Sequence, residues 1–284
     1  MHSAAPLAPS HRSLHGGCSR RPAPPPSRRL LVTRASAAAD APAAGGAADP
    51  RFAALGKVLV AGAAGGTGRC VVQALRAKGV PVRAMVRDAA AAAAKLPPAG
   101  EGLEIVEGDV VNFVSLPPAL AGCDAIVVAT GARDPSDPLG PLNVELNGNL
   151  NLIEAAKRAG CKRFVLVSSI GADELLNPLN VFWGVLLFKK QAELALARAG
   201  FDSFTVVRPG GLKSGGGSGG ALVMAGAGTF GFPPFKKSGS IQRSRVADVC
   251  AEALVSPSAW NKVVEIIEEG AAPSRTLDEL FASV

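Results

Sequence analysis

From Lys57 onward, short apolar runs alternate along the chain with segments whose apolar residues recur at helical spacing. This alternation predicts a mostly parallel sheet with helices on both faces, a doubly wound α/β domain over residues 56–284. The predicted strands are 57–62, 80–87, 103–109, 124–132, 163–169, 203–209 and 262–268. The predicted helices are 66–78, 88–95, 116–120, 144–159, 185–199, 245–254 and 277–282.

Two segments depart from this alternation. Residues 210–228 are dense in glycine and longer than an ordinary connection, so we expect a mobile loop near the ligand crevice. Residues 181–188, VFWGVLLF, lack any charged, amide or hydroxyl side chain. They predict either a buried helix start or an apolar surface, which would be a substrate wall or a face that docks a partner together with 229–235.

The N-terminal segment differs from the rest in composition. Of the net charge of +7, six positive charges are arginines within residues 1–39, a stretch without any acid. An arginine-rich, serine-rich and acid-poor leader is typical of an organelle transit peptide. We therefore predict a transit peptide over 1–36, for the chloroplast rather than the mitochondrion, and a flexible linker over 37–55. The remaining chain is nearly neutral, which argues against a nucleic-acid partner.

Several kinds of site are excluded by residue type. All three histidines lie in the predicted leader, and the cysteines form no CxxC pair, so we expect no metal site and no histidine-based triad. No apolar run is long enough for a transmembrane helix. Peripheral contact with a membrane remains open.

A glycine-rich turn lies between the first predicted strand and the first predicted helix, in VLVAGAAGGTGRCVVQAL. Gly62 permits a tight turn, Gly65 lets a pyrophosphate approach the backbone, and Gly68 lets the helix pack closely. Unpaired N–H groups at the helix start, at Gly66 and Thr67, would bind the anion. This strand–turn–helix context predicts a dinucleotide-binding site.

The ends of the next strands predict which nucleotide binds. Arg87 at the end of the second strand would pair with a 2′-phosphate, so we predict NADP(H) in preference to NAD(H). Asp88 offers the alternative of a ribose contact. Asp109, with Val110 beside it, would border the adenine, and Ala129 to Gly131 would line the ribose side.

The motifs VLVAGAAGGTGR, VRAMVRD, EGDV, NLIEAAKRAGCKRFVLVSSIGAD, KKQAELALARAGFDSFTVVRPGGL and RSRVADVCAEAL occur in this order. Together they resemble the atypical short-chain dehydrogenase/reductase family, which has NAD(P)-binding plastid members. The resemblance spans about residues 57–280. It implies an NADP-binding Rossmann fold whose cofactor is held by Gly62, Gly65, Thr67, Gly68, Arg87 and Asp109. It also implies that Pro209 and Gly210 lie near the nicotinamide.

The chain contains no tyrosine, although short-chain dehydrogenases donate a proton from a tyrosine placed four residues before a lysine. Lys189 follows Val185 at that spacing, and Lys190 follows Leu186, so neither register supplies an acid. We therefore predict a reductase of a conjugated acceptor, such as a flavin or quinone. Ser169 and Lys190 are the candidate catalytic residues, and Ser168 is a candidate contact to substrate or nicotinamide ribose. The alternative is an inactive NADP(H)-binding redox sensor or scaffold for plastid proteins.

Overall fold

The computed structural model describes residues 49–132, 134–181, 183–215, 220–232, 236–270 and 272–284. The predicted transit peptide and the predicted linker as far as residue 48 lie outside these ranges. So do residue 182 of the apolar run, residues 216–219 of the glycine-rich segment and residues 233–235.

The described strands form an eight-stranded sheet in the order β3-β2-β1-β4-β5-β6-β10-β8, with a small parallel pair, β7 and β9, beside it. The strands are β1 Val58–Ala61, β2 Val82–Val86, β3 Leu103–Glu107, β4 Ala125–Val128, β5 Arg163–Val167, β6 Ser203–Pro209, β7 Gly211–Lys213, β8 Ala221–Gly226, β9 Ser240–Gln242 and β10 Lys262–Glu269. All neighbours in the large sheet are parallel except β8 and β10, which are antiparallel. The predicted doubly wound, mostly parallel sheet is confirmed.

The α-helices are α1 Pro50–Ala53, α2 Gly66–Ala77, α3 Ala89–Ala93, α4 Leu116–Leu120, α5 Gly148–Arg158, α6 Val185–Arg198, α7 Arg243–Ala253 and α8 Leu277–Ala282. A π-helix, Leu142–Asn147, precedes α5, so the single helix predicted over 144–159 is two elements. Short 3₁₀-helices cover Phe113–Ser115, Pro178–Val181 and Pro257–Ala259. Within the described residues, every helix falls short of the length and apolarity needed to cross a bilayer.

The central strands are buried on both faces, which explains their continuous apolar runs. In β1, Val58 and Val60 pack on the side of α2 and α7, whereas Leu59 and Ala61 pack on the side of α4 to α6. The sheet therefore separates two apolar cores. It presents the carboxyl ends of its parallel strands at one edge, where α/β proteins bind ligands.

The predicted linker is too long at its C-terminal end. Asp49 caps α1 by accepting a hydrogen bond from the N–H of Arg51, and Pro50 occupies the first turn. Phe52 is only 2% exposed and Leu55 only 3%, and both belong to the core on the α2 side. Residues 49–55 are therefore part of the folded domain.

The prediction of a mobile loop over 210–228 is wrong for two parts of that segment. Residues 211–213 form β7, and the apolar stretch ALVMAG forms β8, which pairs with β10 over six residues. The glycines around this stretch obscured a strand signal that is short but continuous.

Candidate functional site

A cavity of about 1130 Å³ lies at the carboxyl ends of the parallel strands. Each of the first six strands contributes a residue just beyond its end: Gly62, Arg87, Asp109, Ala129, Ser168 and Gly210. The position is the one expected for a nucleotide in an open, doubly wound sheet.

Most of the residues predicted from the sequence meet in this cavity. Those that line it are Gly62, Gly65, Gly66, Thr67, Arg87, Asp109, Val110, Ala129, Gly131, Ser168, Ser169, Pro209 and Gly210. Gly68 and Lys190 are not among the residues that line it.

The glycine-rich turn fits a bound pyrophosphate. Gly62 has a φ of 76°, in the left-handed region that favours glycine. A Cβ atom on Gly68 would lie 2.2 Å from the carbonyl oxygen of Gly62, so Gly68 serves close packing and does not itself contact a ligand. The N-cap of α2, Gly65, makes no side-chain capping bond, which leaves the first N–H groups of a twelve-residue helix directed at the cavity.

Three exposed cationic side chains line the cavity, one just after β2, one in the first turn of α2 and one just after α3. Arg87 was predicted, whereas Arg69 and Lys95 were missed. Arg69 directly follows the last glycine of the motif, and that position was the available signal. Within the described residues, no carboxylate pairs with any of the three.

The neighbouring acid, Asp88, has a structural role. It is the N-cap of α3 and accepts a 2.9 Å hydrogen bond from the N–H of Ala91. Glu107 accepts a second bond, of 3.0 Å, from the N–H of Ala89. Both carboxylates therefore accept hydrogen bonds from N–H groups at the start of α3.

The floor of the cavity is supported by a buried ionic network. The Ser168 hydroxyl donates a 2.5 Å hydrogen bond to Glu193, whose carboxylate also accepts bonds of 2.9 and 2.5 Å from Arg208. Arg208 is fully buried and contacts Asp173 and Glu265 as well. Hydrogen bonds from Arg208 lower the pKa of Asp173 to about 2 despite the opposing effect of burial. This network fixes Ser168 in place.

The assignment of Lys190 as a catalytic residue is not supported by its position. Its ammonium lies 2.5 Å from Asp173, in the network beneath the floor. Lys189 lines the cavity in its place, together with Val185 one helical turn earlier. Because α6 begins at Val185, residues 185 and 189 share the face turned to the cavity. Val185 precedes Lys189 by four residues, the spacing at which the tyrosine of a short-chain dehydrogenase precedes its lysine.

Glu145 was missed by the sequence analysis. It is 2% exposed, lines the cavity and lies in the π-helix that precedes α5. One carboxylate oxygen accepts a 3.0 Å hydrogen bond from the N–H of Ala132, and the other lies 2.7 Å from the ammonium of Lys189. The only available signal was an acid on a segment predicted to be an ordinary helix. The direction of the Glu145 side chain depends on the π-helix Leu142–Asn147.

The mouth of the cavity is apolar. Leu179, Leu212 and Phe232 line it and are between 39% and 47% exposed. From the run 181–188, Val185 belongs to the wall, whereas Val181 and Trp183 lie exposed outside the cavity. The run thus contributes both to a wall and to an outer apolar surface.

Comparison with known proteins identifies relatives over most of the described chain. The chain is 39% identical over 239 residues to an uncharacterised chloroplastic protein of Arabidopsis thaliana, which covers 80% of this chain and 82% of that protein. It is 33% identical over 247 residues to the chloroplastic protein TIC 62 of the same plant, of which it spans only 38%. Sanguinarine reductase of Eschscholzia californica is 30% identical over 248 residues, with 74% of this chain and 88% of that protein covered.

A solved structure described as a putative NAD-dependent epimerase/dehydratase from Bacillus halodurans superposes with a TM-score of 0.68. It is 27% identical and covers 80% of this chain and 99% of its own. The chloroplast prediction is confirmed by relatives that are themselves chloroplastic. A family profile for NAD(P)H-binding proteins matches residues 62–257, and the chain belongs to this NAD(P)H-binding family of Rossmann-fold proteins.

Proposed function

We propose that this protein is an NADPH-dependent reductase of a flat, conjugated acceptor such as a quinone or flavin. The observation that carries this proposal is the composition of one cavity. The glycine-rich turn and the apolar mouth line the same cavity, and the residue four positions before Lys189 is Val185, which has no acidic group to donate a proton. A conjugated acceptor suits such a site because it delocalises the charge that arrives with a hydride.

We assign nucleotide binding to the glycine-rich turn and to the residues at the ends of the strands. Gly62, Gly65, Gly66 and Thr67 would hold the pyrophosphate, with Gly68 supporting the turn. The adenosine side would meet Arg87, Asp109 and Val110, and the nicotinamide side would meet Ala129, Gly131, Ser168, Pro209 and Gly210. Bound NADPH supplies the hydride.

The preference for NADP(H) rests on charge. Arg87 and Arg69 present exposed guanidinium groups to the cavity, whereas the alternative ribose ligand, Asp88, is engaged as a helix cap. An NAD-specific site needs a free carboxylate at the end of this strand. A cationic end suits the additional phosphate of NADP(H).

Positioning of the acceptor is assigned to the chain's own side chains. The apolar mouth would exclude water from one face of a planar ring system. The Ser169 hydroxyl, which donates to the carbonyl oxygen of its neighbour Ile170 at 3.1 Å, would exchange that bond for one to the acceptor. The name of sanguinarine reductase, a relative covered over most of its length, supports a reductase.

A second candidate is a catalytically inactive NADP(H)-binding sensor or scaffold. It is favoured by the apolar residues exposed outside the cavity, Leu175, Leu176, Val181 and Trp183, which offer a surface to a plastid protein or a membrane. In either case we assign the protein to the chloroplast, with residues 1–36 as its transit peptide.

The test is anaerobic oxidation of NADPH by the purified protein with a neutral naphthoquinone and with a free flavin. Absorbance at the nicotinamide band reports turnover, and calorimetry reports NADPH binding in parallel. The reductase proposal expects turnover that saturates with acceptor. Tight NADPH binding without oxidation by either acceptor would instead favour the sensor or scaffold.

A further inference from the structure

Glu145 and Lys189 form an ion pair inside the cavity that the proposed function does not yet use. The two side chains come from different elements, the π-helix before α5 and the first turn of α6, and meet at 2.7 Å. Both line the cavity, and the Lys189 side chain is 16% exposed. Burying a charged pair costs desolvation free energy. We therefore expect a pair at this position to have a function.

We propose that Lys189, held in place by Glu145, is the proton donor for neutral acceptors and replaces the missing tyrosine. This inference rests on the proposed reductase function and specifies its acceptors. Lys189 is the catalytic residue because its side chain lines the cavity. Glu145 is a positioning residue that acts through Lys189.

The proton balance is simple. A neutral quinone that has accepted a hydride is an anion with charge on one oxygen. An N–H bond of the Lys189 ammonium breaks, that proton forms the O–H bond of the hydroquinone, and the lysine is left as a neutral amine. Water at the open mouth then returns a proton to the amine, so the net reaction consumes one hydride and one proton.

Glu145 explains why Lys189 is directed into the cavity. Its second oxygen is anchored by the N–H of Ala132, so the carboxylate has a fixed direction. Lys190, one residue later, is bound to Asp173 instead and cannot serve the same acceptor. Ser169 is a much weaker acid than an ammonium, so it is not a competing donor.

Cationic acceptors provide the discriminating comparison. An N-methylacridinium ion becomes neutral when it accepts a hydride and needs no proton. A donor is therefore required for a neutral quinone and is dispensable for the acridinium. If Lys189 only positioned the cofactor, its loss would slow both reactions equally.

The experiment measures saturating rates of NADPH oxidation by a neutral naphthoquinone and by N-methylacridinium in the full-length protein. The main variant is Lys189→Met with Glu145→Gln, which removes both charges of the pair and leaves no unpaired carboxylate at position 145 to attract the cation. Lys162→Met is the matched control, because Lys162 is exposed and does not line the cavity. Calorimetric titration with NADPH and circular dichroism verify that each variant folds and binds.

We expect the ratio of the quinone rate to the acridinium rate to fall about 100-fold in the double variant, the usual contribution of a general acid. The ratio should stay at the wild-type value in Lys162→Met. Independently of any variant, the wild-type protein should show a solvent deuterium isotope effect with the quinone and none with the acridinium.

An unchanged ratio in the double variant, or equal isotope effects with both acceptors, would overturn the proton-donor role while leaving the reductase intact. A wild-type protein that binds NADPH and reduces neither acceptor would overturn the proposed function, and the proton-donor role with it. If the double variant does not fold, the same ratio in Lys189→Arg decides, because a guanidinium keeps the charge but does not donate its proton.

Discussion

Replacement of Arg87 by alanine should convert a protein that prefers NADPH into one that barely distinguishes NADPH from NADH. Arg87 is exposed at the cavity, and Arg69 lies at the same end. A hydrogen bond to a charged group contributes about 1.5–3 kcal/mol, and exposure to solvent favours the lower value. Since about 1.4 kcal/mol corresponds to tenfold in affinity, Arg87→Ala should weaken NADPH binding about tenfold.

Removal of Arg69 as well should bring the loss to about 100-fold if the two contributions add. NADH lacks the additional phosphate, so its dissociation constant should stay within about twofold of the wild-type value. The assay is calorimetric titration with each nucleotide at two salt concentrations, because screening should reduce the preference in the wild type. Arg158→Ala is the control, since Arg158 pairs with Glu154 on α5 and does not line the cavity. Parallel losses for NADPH and NADH would refute recognition of a 2′-phosphate by this residue.

Three further changes test other parts of the structure. Gly68→Ala places a methyl group 2.2 Å from the carbonyl oxygen of Gly62. We expect the unfolding free energy to fall by about 1–3 kcal/mol and NADPH binding to weaken. Thermal melts and NADPH titrations that match the wild type would contradict the packing argument. Phe52→Ala should cost about 3–5 kcal/mol in chemical denaturation, because this side chain is 2% exposed in the core, whereas a linker residue would cost nothing. Asp173→Asn should lower the unfolding free energy by about 1–2 kcal/mol at pH 7, a value reduced for the partial exposure of the carboxylate. The pKa of Asp173 is depressed from 3.8 to about 2, so its contribution to stability is complete above about pH 5 and is lost as the pH falls through 2. If the variant and the wild type differ in unfolding free energy by the same amount at pH 7 and at pH 2, ionisation of Asp173 is not the cause.

The central fold was predictable because its signals are local and continuous. The central strands β1, β4 and β5 are apolar runs buried on both faces, and α2, α4, α6 and α8 begin where the pattern places them. The wrong predictions for residues 49–55 and for β8 share one cause. Phe52 and Leu55 are isolated apolar residues at the end of a low-complexity stretch, and β8 is an apolar run hidden among glycines. In both cases a distant partner in the fold, and not the local sequence, determines the structure.

The nucleotide side of the site was predictable because backbone motifs define it. The glycine spacing and the strand ends carry that information, whereas the cationic side chains Arg69, Lys95 and Arg243, which line the same cavity, were overlooked. The reaction side was harder because it depends on side-chain direction. Whether Lys189 or Lys190 enters the cavity depends on where α6 begins, and Glu145 enters only through a local departure from α-helical geometry.

That departure also makes the pair vulnerable to a change in chain length. The wide turn at Leu142–Asn147 accommodates one residue more than an α-helical turn would hold. Deletion of a single residue after Glu145 within it would restore α-helical geometry. It would also swing the carboxylate about 100° around the axis relative to α5, away from Lys189. A one-codon insertion or deletion would thus create or remove this pair in a homologue, and would rotate the neighbouring cavity residue Val144 with it.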